Sequence, residues 1–423
     1  MHQSKSAQLG RVEAIDALRG LAAFVVVLYH ARDLLWVGTS EMFRRYRFQP
    51  RLEAWLGYLT GPLSLGWLGV TLFFVLSGYC IHRRGAQRLA DNPQAGLDFP
   101  RFARRRFWRI YPTYAAALLL TGLIDWYVLK TVGYRDVWMD DHRWTTLLAS
   151  FAGLQGFAAP TYGSNGVFWT LAMEIHLYLA YPVLFWISKR YGAVPVLIVT
   201  FSISATFAFA DILFGLQAAM PYHFLRGPMF LPYWFTWTVG FYLAEVQAGR
   251  AFLPRRNYMR VLAAVGLGGG LALVALKHLE ASEIWWSLTF GAIVWWSLGG
   301  RGRQFWDSLI GRILAFIGVF SYSLYAIHYP ALLLFKAYAL PKGDKPFSLF
   351  MAICGVCFAL VAAWLFFQVV ERWTLRWPPG RPGGRGGKAE TLKAEMLKSG
   401  GQETEDRRQR TEDRGGNAET LKR

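Results

Sequence analysis

The stretch that decides the fold runs from Ile15 to Trp36, IDALRGLAAFVVVLYHARDLLW. It is an apolar segment with Arg19 at its head and His30 deep inside. On a helix the step from one to the other is close to three whole turns, so both side chains share a face, about 16 Å apart along the axis. Asp16, Gly20, Ala23 and Val27 lie on or near that stripe, and its small residues leave room for something to lie against it. An ionisable group in lipid costs several kcal/mol, so such groups face a protein interior or a wet cavity. This helix is expected to form one wall of a site.

Composition agrees with a membrane setting. Hydrophobic residues make up 54% of 423 and aromatics 17%, which lies outside the soluble norm. Nineteen Trp and twenty Tyr suit the two membrane–water interfaces, where amphipathic rings collect. Arg19 precedes the first apolar run and no small-residue cleavage site follows, so no cleavable signal is expected. The three cysteines, Cys80, Cys354 and Cys357, all lie in apolar runs. Too few for a disulfide framework, they are read as core packing, with no metal set around the C-x-x-C pair.

The expected fold is all-α: a polytopic membrane protein of about ten transmembrane helices. They are expected near 15–37, 64–82, 110–129, 167–188, 194–214, 229–247, 259–277, 284–299, 313–338 and 347–370. With the N-terminus inside, 22 Lys/Arg fall on the inner side and 13 on the outer. That favours cytoplasmic N- and C-termini. The apolar but short and Gly-rich segment Thr145–Pro160 is read as re-entrant or interfacial. Residues 1–377 form the membrane domain. Residues 378–423, rich in Gly, Arg, Glu and Lys, read as a disordered, charged cytoplasmic tail. The net charge of +19 belongs mostly to loops beside the membrane, which implies lipid contact and no nucleic-acid partner.

Four further stretches carry candidate chemistry. In GWLGVTLFFVLSGYCIHRR (Gly66–Arg84) the glycines allow close helix approach. RFARRRFWRIYPTY (Arg101–Tyr114) places Arg105, Arg106 and Arg109 at a membrane edge. Such a cluster either anchors to anionic lipid or grips phosphate with its guanidinium forks. In SNGVFWTLAMEIHLYLAYPVLFW (Ser164–Trp186), Thr170, Glu174, Tyr178 and Tyr181 share one face, and His176 faces elsewhere. Glu174 is either a structural partner for a cation or part of a site. In FIGVFSYSLYAIHYPALLL (Phe316–Leu334), Ser321, Tyr325 and His328 share a face. Pro330 is expected to bend the helix or free a carbonyl for a partner. Taken alone, His328 reads as a structural histidine. Counted from helix ends, His30, Glu174 and His328 lie roughly 9–15 Å below the outer surface, while Arg19 and the arginine cluster lie at the inner edge.

Taken together, LRG-x9-H (Leu18–His30), GWLGVTLFFVLSGY, RRFWRIYPTY, FWTLAMEIHLYLAYP and FSYSLYAIHYP resemble the membrane-bound acyltransferase 3 family over about residues 11–372. Two departures stand out. More polar residues are common where this chain has Ala172–Met173 and Ile175–His176, and no hydrolase-type extracytoplasmic domain is appended. The resemblance implies a multi-pass protein of the bacterial cytoplasmic membrane. It implies transfer of an acyl group, usually acetyl, from cytoplasmic acyl-CoA (acetyl-CoA) to a hydroxyl of an extracytoplasmic sugar, glycan or lipid-linked acceptor. It also implies that Arg19 and His30 are essential.

On this reading His30 is the general base or the nucleophile, and Glu174 orients its imidazole. Arg19, Arg105, Arg106 and Arg109 hold CoA phosphates. Asp16, Tyr178, Ser321, Tyr325 and His328 support the site. Trp138 and Trp144, near Asp140 and Asp141, are candidate sugar-stacking surfaces. The rival reading is a proton-coupled transporter with a His/Glu relay, for which no inverted repeat or pair of broken helices is evident.

Overall fold

The computed structural model describes residues 2–36, 43–44, 47, 52–132, 141–214, 230–253, 255–340 and 349–375. Trp138, Asp140, part of the first expected outer loop and the tail at 378–423 lie outside them. The described chain is helical. In order come α1 (His2–Leu35), α2 (Leu52–Leu59), α3 (Leu68–Asp91), α4 (Phe99–Tyr127), α5 (Trp144–Phe151), α6 (Phe168–Tyr191) and α7 (Ala193–Phe214). They are followed by α8 (Trp234–Gln247), α9 (Arg256–Ala275), α10 (Leu279–Leu298), α11 (Gly300–Trp306), α12 (Leu309–Val319), α13 (Ser321–Ala339) and α14 (Leu349–Phe366).

Seven helical stretches among the described residues are long and apolar enough to cross a membrane, and eight if the bent pair α12–α13 forms one span. Two of the ten expected segments fall short by this measure while still being helical. At 14 residues, α8 is too short for a hydrocarbon core of about 30 Å. In α10, Glu280 and Glu283 sit among Trp and Ser. The segment at 145–160 does not form a long helix. It is the eight-residue α5 followed by turns in which Gly153, Gly156 and Gly163 take positive φ. Eight residues rise only about 12 Å.

The small-residue stripe of α1 is filled by protein. A Cβ on Gly20 would lie 1.8 Å from the Leu314 carbonyl oxygen, and one on Gly318 would lie 1.8 Å from that of Asp16. Backbone therefore meets backbone where α1 crosses α12. Gly69 lies against Ala22, and Gly78 and Gly240 close the crossing of α3 with α8 in the same way. Where lipid is as apolar as leucine, such close packing supplies the attraction between helices.

The span expected at 313–338 is broken. Its two halves meet at 78°, with Phe320 outside helical geometry. That break lies ten residues before Pro330, the position at which the sequence suggested a bend. Pro330 has no N–H to give the Ala326 carbonyl, and the Asn165 amide fills that place at 2.9 Å. The helix is continuous through the proline. The freed carbonyl does find a partner, as the sequence suggested. At Phe320, α12 is already pinned to α1 through Gly318, so the chain turns there. The cysteines of the last span are a second correction. Cys357 is exposed and Cys354 half-buried, because this face of α14 points away from the bundle.

Candidate active site

α1, α3, α4, α6 and α13 enclose a cavity of about 150 Å³, open to one side. Its walls carry Arg19, Ser77, Arg106, Arg109, Thr170, Glu174, Tyr178, Ser321, Tyr322 and Tyr325, with Phe73, Phe74, Leu76 and Ile110 between them. Eight residues singled out from sequence thus line one space: Arg19, Arg106, Arg109, Thr170, Glu174, Tyr178, Ser321 and Tyr325. Asp16, buried where α1 crosses α12, does not line it, and neither does Arg105, whose side chain leaves α4 about 100° from that of Arg106. His176 faces Phe157 and Phe230, away from the cavity as expected.

Each wall is built by local bonding. The Arg106 guanidinium lies over the rings of Phe102 (5.5 Å) and Tyr178 (5.8 Å), a stacking that a planar cation favours. Tyr178 and Ser77 donate hydrogen bonds to the Glu174 carboxylate, the latter at 3.2 Å, and the Trp237 indole N–H donates to Ser77 at 3.2 Å. Thr170 donates to the Tyr325 hydroxyl at 2.7 Å, and Tyr322 to the Ile110 carbonyl at 3.1 Å. Arg109 lies against Tyr322 (5.9 Å) and donates at 3.0 Å to Glu371.

The two histidines meet beside this cavity. The rings of His30 and His328 have centroids 5.2 Å apart, and His30 also packs on Tyr29 and Tyr329. Tyr325 joins the two regions, because it lines the cavity and its ring lies 5.8 Å from that of His328. The Nδ1 of His328 lies 2.9 Å from the Tyr325 carbonyl and 3.1 Å from that of Leu324. A carbonyl only accepts, so Nδ1 carries the proton and Nε2 the lone pair. That Nε2 is buried with no hydrogen-bond partner among the described residues.

One expected pairing is corrected. Glu174 takes its bonds from Ser77 and Tyr178, not from His30, and belongs with the arginines. Equal depth in the membrane does not fix azimuth. α1 packs on α12, α13, α3 and α14, while α6 packs on α3, α4 and α7.

Several polar residues of the interior were not singled out from sequence. Glu371 is one, lying in a wide π-type turn (Phe367–Glu371) at the end of the last span. It reads in sequence as an ordinary border charge beside Arg372. Another group ties helix ends together. His82 and Arg250 bind the two oxygens of Glu245 at 2.6 and 2.7 Å, and Arg250 also reaches the carbonyls of Leu89 and Ser188. A third holds the 141–165 segment on α4. Asp125 accepts from the Ser164 amide and hydroxyl at 2.8 and 2.6 Å and pairs with His142 at 3.0 Å. In that segment Trp144 is exposed and Asp141 pairs with Arg143 at 2.6 Å.

The comparisons agree with this architecture. A protein of Acidianus two-tailed virus, named provisionally as an acetyltransferase, is 29% identical over 171 residues. The match covers 40% of this chain and 40% of that relative, so the chain spans less than half of the relative's length. No solved structure matches the chain. A family model described as an acyltransferase domain matches residues 12–368, and the chain belongs to that acyltransferase family.

Proposed function

We propose that the chain is a membrane O-acyltransferase that moves an acetyl group from cytoplasmic acetyl-CoA to a hydroxyl of an extracytoplasmic sugar or glycan. The observation that carries this reading is the convergence of Arg19, Arg106 and Arg109 from two helices on one cavity. The His30–His328 pair lies behind Tyr325, a residue of the cavity wall. The cavity volume admits a thioester and part of a pantetheine arm but not a nucleotide, so the phosphates stay at its arginine-lined mouth. Guanidiniums fork onto phosphate oxygens better than ammonium groups do. Glu174 and Tyr178 hold the wall against which Arg106 stacks.

In the transfer step, the acceptor oxygen attacks the thioester carbonyl while its proton passes to His30. The adduct then expels CoA thiolate, which recovers the proton. His328 packs its ring against the His30 imidazole and limits how that ring can turn. An acyl-imidazole on His30 is the alternative route. A burst of thiol without acceptor, one equivalent per protein, would identify it. Membrane lipids surround the site, and no step requires a metal. The transporter reading expected paired broken helices, whereas one bent pair is present among the described residues.

The test is a donor titration on Arg106→Lys and Arg109→Lys with acetyl-CoA and acetyl-pantetheine. Lys keeps the charge and loses the fork, so KM for acetyl-CoA should rise while KM for acetyl-pantetheine changes little. Equal impairment with both donors would overturn the phosphate role and leave the cluster as a lipid anchor.

A further inference from the structure

Among the buried groups that this mechanism does not use, Glu371 is placed with the greatest consequence. It is fully buried, and its two oxygens do different work. Oε1 accepts from the Arg109 guanidinium at 3.0 Å, and Oε2 accepts from the Ser323 backbone N–H at 3.1 Å and the Ser323 hydroxyl at 2.7 Å. Ser323 is the third residue of α13, whose first turn follows the 78° break. The leading N–H groups of a helix have no partner in their own helix, and away from water they must find one. Glu371 supplies one from the far end of the sequence. The same carboxylate engages one side of Arg109, whose other donors have no partner among the described residues, and the guanidinium lies against Tyr322 on the cavity wall.

We propose that Glu371 is a positioning residue for the acyl donor: anchored on Ser323 at the start of α13, it holds Arg109 in place at the cavity. The π-type turn at Phe367–Glu371 is the device that brings it inward, since such turns insert a residue into a helix and are frequent near functional sites. The inference rests on the donor-binding reading of the arginines. Electrostatics and positioning make opposite predictions here. If Glu371 only neutralised Arg109, removing its charge would strengthen the attraction for phosphate. If it positions Arg109, removal weakens donor binding. A glutamine cannot replace it, because one side of the amide is a donor and would face either a guanidinium or a backbone N–H, neither of which accepts.

The experiment is a double-mutant cycle of Glu371→Gln and Arg109→Ala, read as KM for acetyl-CoA and for acetyl-pantetheine. Glu371→Gln alone should raise KM for acetyl-CoA about tenfold, equivalent to 1.4 kcal/mol, and leave acetyl-pantetheine nearly unaffected. In the Arg109→Ala background it should add little further. A lowered KM, or a tenfold effect that persists without Arg109, would overturn the proposal. If Arg109→Ala itself leaves KM for acetyl-CoA unchanged, the donor reading fails first, and that result is distinct. Should Glu371→Gln not fold, Ser323→Ala removes only the hydroxyl contact. It should raise KM for acetyl-CoA by a smaller factor, and no change there would count against the proposal.

Discussion

The contact between Asn165 and the Ala326 carbonyl offers a sharp test of how this membrane interior is held together. Pro330 leaves that carbonyl without its helical donor, and the Asn165 amide replaces it at 2.9 Å. Asn165, Ala326 and His328 are all fully buried, so water cannot substitute. Asn165→Ala therefore strands a carbonyl one turn from the histidine pair. A buried unsatisfied acceptor costs roughly 1–3 kcal/mol, while hydrogen bonds between transmembrane helices average about 0.6 kcal/mol because alternatives exist. Complete burial argues for about 1–2 kcal/mol. Pro330→Ala restores an N–H four residues after Ala326, so in that background Asn165→Ala should lose most of its cost. The assay is reversible unfolding of the purified protein in detergent for both single variants and the double variant. A coupling of about 1 kcal/mol is expected. Strict additivity, or a harmless Asn165→Ala, would refute the account of how α13 passes its proline.

Gly318→Ala should sharply reduce folded yield, since its Cβ would stand 1.8 Å from the Asp16 backbone oxygen and backbone cannot swing aside. Gly268→Ala in α9 meets nothing within 4 Å and should be neutral or stabilising by up to about 1 kcal/mol; equal damage from both, by size-exclusion yield, would contradict the packing described. His30→Ala should lower turnover by about 10²-fold or more while the thermal transition stays in place; a variant keeping a tenth of the activity would rule out the proposed proton transfer. Partial burial pushes the Asp141 carboxyl up, but bonds from Arg143 and Thr146 outweigh this and hold it below its usual range. A depressed carboxyl stabilises above its unfolded value and loses that contribution as pH falls through the folded one. Corrected for the intrinsic exchange rate, protection of the 141–165 segment against hydrogen exchange should therefore fall on acidification and lose that pH dependence in Asp141→Asn; protection that rises on acidification would refute the sign.

What the sequence could decide by itself was anything set by local period and solvent preference. Apolar runs of about twenty residues, a helical stripe carrying Arg19 and His30, and close-packing glycines follow from the repeat of one helix and the chemistry of lipid. The arginines of α4 and the polar faces of α6 and α13 were legible for the same reason. Tertiary structure alone decided which faces meet. Glu174 and His30 were expected at similar depth, yet α6 and α1 share only α3 among their main neighbours, so the expected pair did not form and Glu174 joined the arginines. The break at Phe320 is also invisible in a continuous apolar run, because it depends on Gly318 meeting Asp16 from a helix just over three hundred residues earlier. Glu371 is the clearest case. Its partners Arg109 and Ser323 are 262 and 48 residues away, and no local pattern encodes a carboxylate that caps another helix and holds another helix's arginine.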